Sequence, residues 1–169
     1  MRISILIPCH NEESSIRRCI QSCIDQTRKA DEIVVVNDGS TDKSGEIIAE
    51  FGDIVTVVTI PKATGNKSYA QERGLEFVTG DVFIATDGDS ILGSRFVEYI
   101  EEDFRDEEIM AMCGYVSSLQ YNWLTACRAL EYLIGQNIHK LAQSYINFIL
   151  VIPGVAGAFR TEVFKQHRY

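Results

Sequence analysis

The sequence predicts an α/β fold with a mostly parallel central sheet flanked by helices. Two observations carry that prediction. Short, nearly all-apolar runs alternate with amphipathic stretches along the chain, and those runs end in polar loops that carry acids. Alternation of this kind gives right-handed crossovers, which bring the loops that follow the strands to one edge of the sheet.

Ile3 to Ile7 reads as the first strand, with Pro8-Cys9-His10-Asn11-Glu12 as the loop at its carboxyl end. Ile16, Cys19, Ile20, Cys23 and Ile24 then follow the i, i+3, i+4 spacing of an amphipathic helix, with Asn11 or Ser14 available as cap. Glu32 to Val36 is β-branched and apolar, as expected of a strand covered on both faces, and runs into Asn37-Asp38-Gly39-Ser40-Thr41-Asp42. A short helix with Ile47, Ile48 and Phe51 precedes a third strand, Ile54 to Ile60. The loop holding Lys62 and Lys67 leads into a helix from about Ser68 to Val78.

Val82 to Ala85 is a fourth strand, ending in Thr86-Asp87-Gly88-Asp89-Ser90. From Arg95 to Phe104 a helix turns Phe96, Val97, Ile100 and Phe104 inward, and its acids Glu98, Glu101, Glu102 and Asp103 outward. Ile109 to Ser118 reads as another strand. A long helix from about Asn122 into the 140s is expected to bury Leu130, Leu133, Ile134, Ile138 and Leu141. Pro153 to Arg160 closes the pattern with small residues that permit close backbone approach.

The chain of 169 residues, 46% apolar and 24% charged, is long enough for one domain with its own core. A net charge of −8 argues against a nucleic-acid partner, whose phosphates would be repelled. The five cysteines, Cys9, Cys19, Cys23, Cys113 and Cys127, are odd in number and scattered without a CxxC pair, which suggests reduced core thiols in a cytosolic setting. Cys19 and Cys23 share one helix face and read as small buried hydrophobes. His10, His139 and His167 form no metal spacing. The N-terminus lacks the features of a signal peptide, and the uncharged run 141–159 contains Gln143, Asn147, Pro153 and two glycines, so it reads as a buried helix and loop rather than a membrane span.

Asp87 and Asp89 are the leading site candidates. Two carboxylates set close together at a strand end repel unless a cation lies between them, and oxygen-only ligands suit Mg2+ or Mn2+. The competing reading is an Asp-Gly turn with Ser90 as a helix cap. Lys62 and Lys67 face the same edge, either as partners for a metal-bound nucleotide or as solvated loop lysines.

The strings IPCHNEE (7–13), VVVNDGSTD (34–42), the stretch 62–74, TGDVFIATDGDS (79–90) and PGVAGAFRTEVF (153–164) together resemble the inverting family-two glycosyltransferases of the Rossmann-like GT-A fold. ALEYLIGQNIHKLAQS with the later GAFR is most similar to the membrane-associated branch of poly-N-acetylglucosamine, hyaluronan, chitin and cellulose synthases. The resemblance implies a single GT-A domain over 1–169, with a nucleotide-sugar part at 1–118 and the incomplete start of an acceptor-side part at 119–169. It further implies a UDP-sugar donor such as UDP-GlcNAc or UDP-Glc, and transfer with inversion to a glycan or lipid-linked acceptor at the cytoplasmic face of a membrane. Pro8 and Glu12 match the loop that lines the nucleotide pocket, Asp38 the acid that contacts uracil or ribose, and Asp87 and Asp89 the metal-binding DxD motif. Lys62 and Lys67 would support the diphosphate.

Several positions depart from the family pattern. Asn37 replaces the first Asp of the common DDGS form, and Glu72 stands where Asn is usual. The acceptor base of the family belongs to a TED-like motif downstream of GAFR, which this chain does not contain, nor does it contain QxxRW. Glu102-Asp103 precedes GAFR. These departures lead to the expectation of a C-terminally truncated, donor-binding portion of an enzyme, with a catalytically incomplete nucleotide-sugar-binding module as the alternative. A phosphatase with an Asp nucleophile is disfavoured, because that chemistry places its DxD on the first strand.

Overall fold

The computed structural model of the chain describes residues 1–119, 121–146, 152 and 154–166. Asn147, Pro153, His167 and the side chain of His139, named above, lie outside the described residues. The elements run β1 (Ile3–Cys9), α1 (Ile16–Ile24), β2 (Glu32–Asp38), α2 (Ser44–Ala49), β3 (Thr56–Ile60), α3 (Lys67–Leu75), β4 (Val82–Ala85), α4 (Phe96–Asp103), β5 (Ala111–Cys113) and α5 (Trp123–Ile134). A π-helical segment (Gly135–Lys140), α6 (Leu141–Tyr145), β6 (Gly157–Arg160) and α7 (Thr161–Gln166) follow.

The six strands form one sheet in the order β3-β2-β1-β4-β6-β5. The β1–β2, β1–β4 and β2–β3 pairs are parallel, whereas β6 runs antiparallel to both β4 and β5. The chain leaves β1 towards β2 on one side and returns to β4 on the other. The β1/β4 junction is therefore the topological switch point, where a crevice opens at the carboxyl ends of the strands.

Both faces of the sheet are covered. Ile3, Ile5, Ile7 and Cys9 point to one face and pack with Ile16, Cys19, Ile20 and Cys23 of α1 and with Val97 and Ile100 of α4. Leu6, Val34, Val36, Phe83 and Ala85 point to the other, against Ala70 and Leu75 of α3. Phe83, Phe159 and Phe164 close that layer with ring centroids 5.1–5.3 Å apart. Gly74 lets α3 approach the sheet, since a Cβ there would fall 2.4 Å from Leu6 Cδ1 and 2.6 Å from Val36 Cγ2.

Three expectations are corrected. The strand expected over Ile109–Ser118 is three residues long, because β6 offers partners only from Ala111↔Phe159 to Cys113↔Gly157. Beyond it the side chain of Gln136 takes the place of a strand, accepting from Val116 N and donating to Val116 O. Strand β3 starts at Thr56, not Ile54, since Ile54 N is used in a turn to Phe51 O. Finally, Leu130, Leu133, Ile134, Ile138 and Leu141 are not buried. They are 42–65% exposed, because no element described packs over that face of α5 and the segment after it.

Candidate functional site

Three loops meet at the switch point. The first leaves β1 through Pro8 and Cys9. Asn11 there takes a positive φ of 55°, and its Oδ1 accepts from Thr41 N at 2.8 Å while its own N–H donates to Ser40 Oγ at 3.1 Å. Glu12 N donates to Ser44 Oγ at 2.7 Å, and Ser15 Oγ donates to the Glu12 carboxylate at 2.8 Å. The loops after β1 and β2 are thus laced together. Burial pushes the Asp42 carboxyl up, but the hydrogen bonds from Ser44 and from Glu13 N outweigh it and hold that carboxyl below its usual range.

Asp38 ends β2 and is buried. Thr64 fixes its carboxylate from both sides, N–H to Oδ1 at 2.9 Å and Oγ1 to Oδ2 at 2.7 Å. His10 donates from Nδ1 to the Asp38 carbonyl at 2.6 Å, and Asn11 Nδ2 donates to His10 Nε2 at 3.1 Å. The next residue, Gly39, has φ +57°, and a Cβ on it would meet Ala63 N at 2.2 Å. Only glycine allows the 61–65 loop to close over Asp38. Asn37 is buried as well, and its Oδ1 accepts from Ser40 N at 3.1 Å, so the amide shapes the loop.

The third loop follows β4. Asp87 O accepts from Ser90 N at 3.0 Å and from the Cys19 thiol at 3.2 Å, which makes residues 87–90 a tight turn anchored on α1. Gly88 is buried, with Glu12 Cγ, Ile16 Cδ1 and Pro8 O only 3.4–3.5 Å from where a Cβ would sit. The turn is thus present, and it presents both carboxylates, but Ser90 is not a helix cap: the next helix, α4, begins at Phe96 behind Arg95. Asp87 is half-buried and ion-paired with Lys67 Nζ, while Asp89 is exposed at the rim. Lys67 opens α3 behind the cap Asn66, whose side chain accepts from Ser68 N.

These residues enclose a cleft of about 310 Å³ lined by Pro8, Glu12, Asp38, Lys67, Asp87 and Asp89 among others. Six of the seven positions singled out in the sequence meet there. Lys62 does not; it lines a neighbouring shallow cavity with Pro61, Thr64 and Tyr69. His10, which the sequence motifs left without a role, does line the cleft, and its place in the loop after β1 was the available signal. A second cavity of about 370 Å³ lies across Asp89, bordered by Thr86, Phe96, Tyr115, Tyr121 and Ala156.

Among the described residues no three His, Cys, Asp or Glu side chains converge as a metal cluster. Asp87 and Asp89 offer oxygen donors alone. That set fits a hard divalent cation of the kind held by one or two carboxylates, with substrate phosphates and water completing the shell.

An open, mostly parallel sheet extended by an antiparallel strand, with an acidic cleft at its switch point, is the class of α/β domain in which ligands bind at the carboxyl ends of the strands. The family model described as Glycosyl transferase family 2 matches residues 4–167, and the chain belongs to that family. Hyaluronan synthase of Streptococcus pyogenes is 29% identical over 172 residues, covering 96% of this chain and 41% of that protein. Among solved structures, S. aureus TarS 1–349 in complex with UDP-GlcNAc matches with a TM-score of 0.73 and 18% identity, over 98% of this chain and 47% of that one. The mannosyltransferase PcManGT from Pyrobaculum calidifontis, in complex with GDP-Man and Mn2+, matches with a TM-score of 0.76 and 20% identity, over 98% and 46%. These likenesses show the GT-A glycosyltransferase fold. The chain spans less than half the length of each of the three. No described helix is long and apolar enough to cross a membrane.

Proposed function

We propose that this domain binds a UDP-sugar together with Mg2+ or Mn2+ and, within a whole enzyme, serves its transfer with inversion to a hydroxyl of a glycan or lipid-linked acceptor. The observation that carries the reading is the switch-point cleft, which sets Asp38 at one wall and Lys67, Asp87 and Asp89 at the other. The neighbours add support, since TarS was solved with UDP-GlcNAc and PcManGT with GDP-Man and Mn2+. A cytoplasmic setting, at the inner face of a membrane in the whole enzyme, goes with the free thiols and the likeness to hyaluronan synthase.

Asp38 is held by Thr64 with lone pairs left over, so it can accept from the N3 proton of uracil. Pro8 and Glu12 line the pocket beside it, and Lys67 reaches the region of the diphosphate; Lys62 would contribute only from the flank. Asp87 and Asp89 would hold the cation, which supplies Lewis-acid neutralisation of charge on the departing diphosphate. The second cavity meets the first at Asp89, and its Tyr115 and Tyr121 offer aromatic faces to an acceptor sugar.

Calorimetric titration tests the reading. UDP with Mn2+ should bind and CDP should bind more weakly, because an unpaired buried acceptor costs about 1–3 kcal/mol and cytosine has no N3 proton. Asp89→Ala should abolish the metal dependence, and Asp87→Ala nearly so. Equal affinity for UDP and CDP would remove the role given to Asp38. Unchanged metal-dependent binding in a folded Asp89→Ala variant would leave the 87–90 loop as a turn alone.

A further inference from the structure

Lys67 is the one cleft-lining cation among the described residues, and its partner is one of the two carboxylates on which a divalent ion would sit. The other acids of the cleft are engaged differently: Asp38 is held by Thr64, Glu12 by Ser15, and Asp89, among the described residues, accepts only a long 3.4 Å contact from Ser90 Oγ. We infer that Lys67 is an internal counter-ion for Asp87 that must be drawn off by a diphosphate before a divalent cation can take its place, so that donor and metal bind cooperatively. The inference rests on the nucleotide-sugar reading above and adds to it an order and a coupling.

The geometry suits an exchange. Lys67 sits at the first position of α3, fixed there by the Asn66 cap, so its backbone does not need to move when the ammonium changes partner. Its side chain is 48% exposed and that of Asp87 is 32% exposed. A pair this open is weak and easily traded. Nζ also lies beside Gly154, where the missing side chain leaves the ammonium unhindered: even a Cβ there would make only an ordinary contact at 3.6 Å.

A bare divalent ion approaching Asp87 must displace an ammonium and then lie beside it, which is unfavourable twice. A diphosphate changes both terms, because it offers the ammonium a stronger partner and contributes oxygens to the metal. Coupling between two ligands is reciprocal, so the same factor by which nucleotide tightens metal must be the factor by which metal tightens nucleotide. Asp87 thus stays neutralised in the free protein without a metal, and in a protein of net charge −8 the lysine keeps scavenged cations from filling the site before the donor arrives.

The experiment follows free hexaaqua Mn2+ by electron paramagnetic resonance during titration of the 169-residue chain, with and without UDP, for the native protein, K67M and K67R. No turnover is needed. K67M should bind bare Mn2+ on the order of tenfold more tightly than the native protein, a coupling of ordinary size for linked sites, and the tightening caused by UDP should shrink by a similar factor. K67R, which can still pair with Asp87, should behave as the native protein does. Circular dichroism confirms that each variant is folded. Equal affinity for bare Mn2+ in the native protein and K67M overturns the exchange while leaving the donor reading intact if UDP still tightens the metal. Tighter Mn2+ in K67M with no response to UDP in any variant overturns the donor reading itself, and the exchange with it.

Discussion

Gln26 offers a test of how the Asp89 loop is held in place. Its side chain is 1% exposed, although glutamine is ordinarily a surface residue. Nε2 donates to Gly93 O at 2.8 Å and to Ser22 O at 2.9 Å, while Oε1 accepts from Val97 N at 3.1 Å. Helix α4 has no side-chain cap of its own, and Val97 is its second residue, so Gln26 caps α4 from across the core. It also ties down the loop that runs from Asp89 into that helix. Gln26→Leu keeps the bulk and removes all three bonds. Val97 is fully buried, so its N–H would lose a partner at about 1–3 kcal/mol; Gly93 is exposed, so water would recover part of the loss at its carbonyl. The expected destabilisation is therefore about 2–4 kcal/mol, partly offset by the apolar burial of leucine. For a domain of this size that corresponds to a fall in Tm of very roughly 6–12 °C. Urea unfolding of the native protein and the variant measures it directly. A loss under about 0.5 kcal/mol would refute the reasoning, since it would mean that the Val97 N–H finds another partner at little cost.

Three further outcomes are expected. Gly39→Ala should destabilise the chain by at least ~1–2 kcal/mol from its left-handed backbone alone, and weaken UDP binding, because the new Cβ would drive the 62–63 backbone away from Asp38; urea and calorimetric titrations check both effects. Burial pushes the Cys9 thiol up to about 11 from an unfolded value of 9.0, with the charges of Glu12 and Asp42 adding to the rise and Ser44 opposing it. A raised folded pKa means that the contribution of the thiol is complete below pH 9 and is lost between pH 9 and 11, so the urea midpoint should fall across that window, and fall less in Cys9→Ala. On the proposed reading Asp38, Asp87 and Asp89 all serve the nucleotide or the metal, so the chain should bind donor yet transfer little sugar; general-base catalysis typically contributes about 10²–10⁴-fold. Radiolabel incorporation comparable to that of a full-length relative would identify a base within these residues.

Much of the site was legible in the sequence because its positions follow from topology. Once Ile3–Ile7, Glu32–Val36 and Val82–Ala85 are read as buried parallel strands, Glu12, Asp38 and Asp87 must fall on one edge. The stripe Ile16, Cys19, Ile20 and Cys23 likewise had to face the sheet, and all four are buried. What escaped depends on contacts distant in sequence. The insertion of β6 between β4 and β5 rests on pairing of Ala85 with Gly157 and of Cys113 with Gly157, which no local pattern encodes. Gln26 binds residues about seventy positions away, and nothing near it marks it as buried. On α5 the periodicity was real and the inference drawn from it was not: spacing reports that one face is apolar, and says nothing about what covers it.

On the proposed reading, the arrangement of charge explains how an acidic domain could serve an anionic ligand. The wall formed by Asp87 and Asp89 meets a diphosphate with like charge, and two unit charges about 4 Å apart near a protein surface interact by roughly 4 kcal/mol. Lys67 can cancel one such interaction, but only by leaving Asp87, which restores the repulsion that it had been neutralising. A single lysine therefore cannot satisfy both the carboxylates and the phosphates. A divalent ion between them can, because each of its charges faces an anion on both sides. On this reading the acidic loop would be not an obstacle to binding phosphate but the half of a site whose other half arrives with the donor, and selectivity would be left to Asp38, whose rigid pairing with Thr64 sets it apart from this exchange.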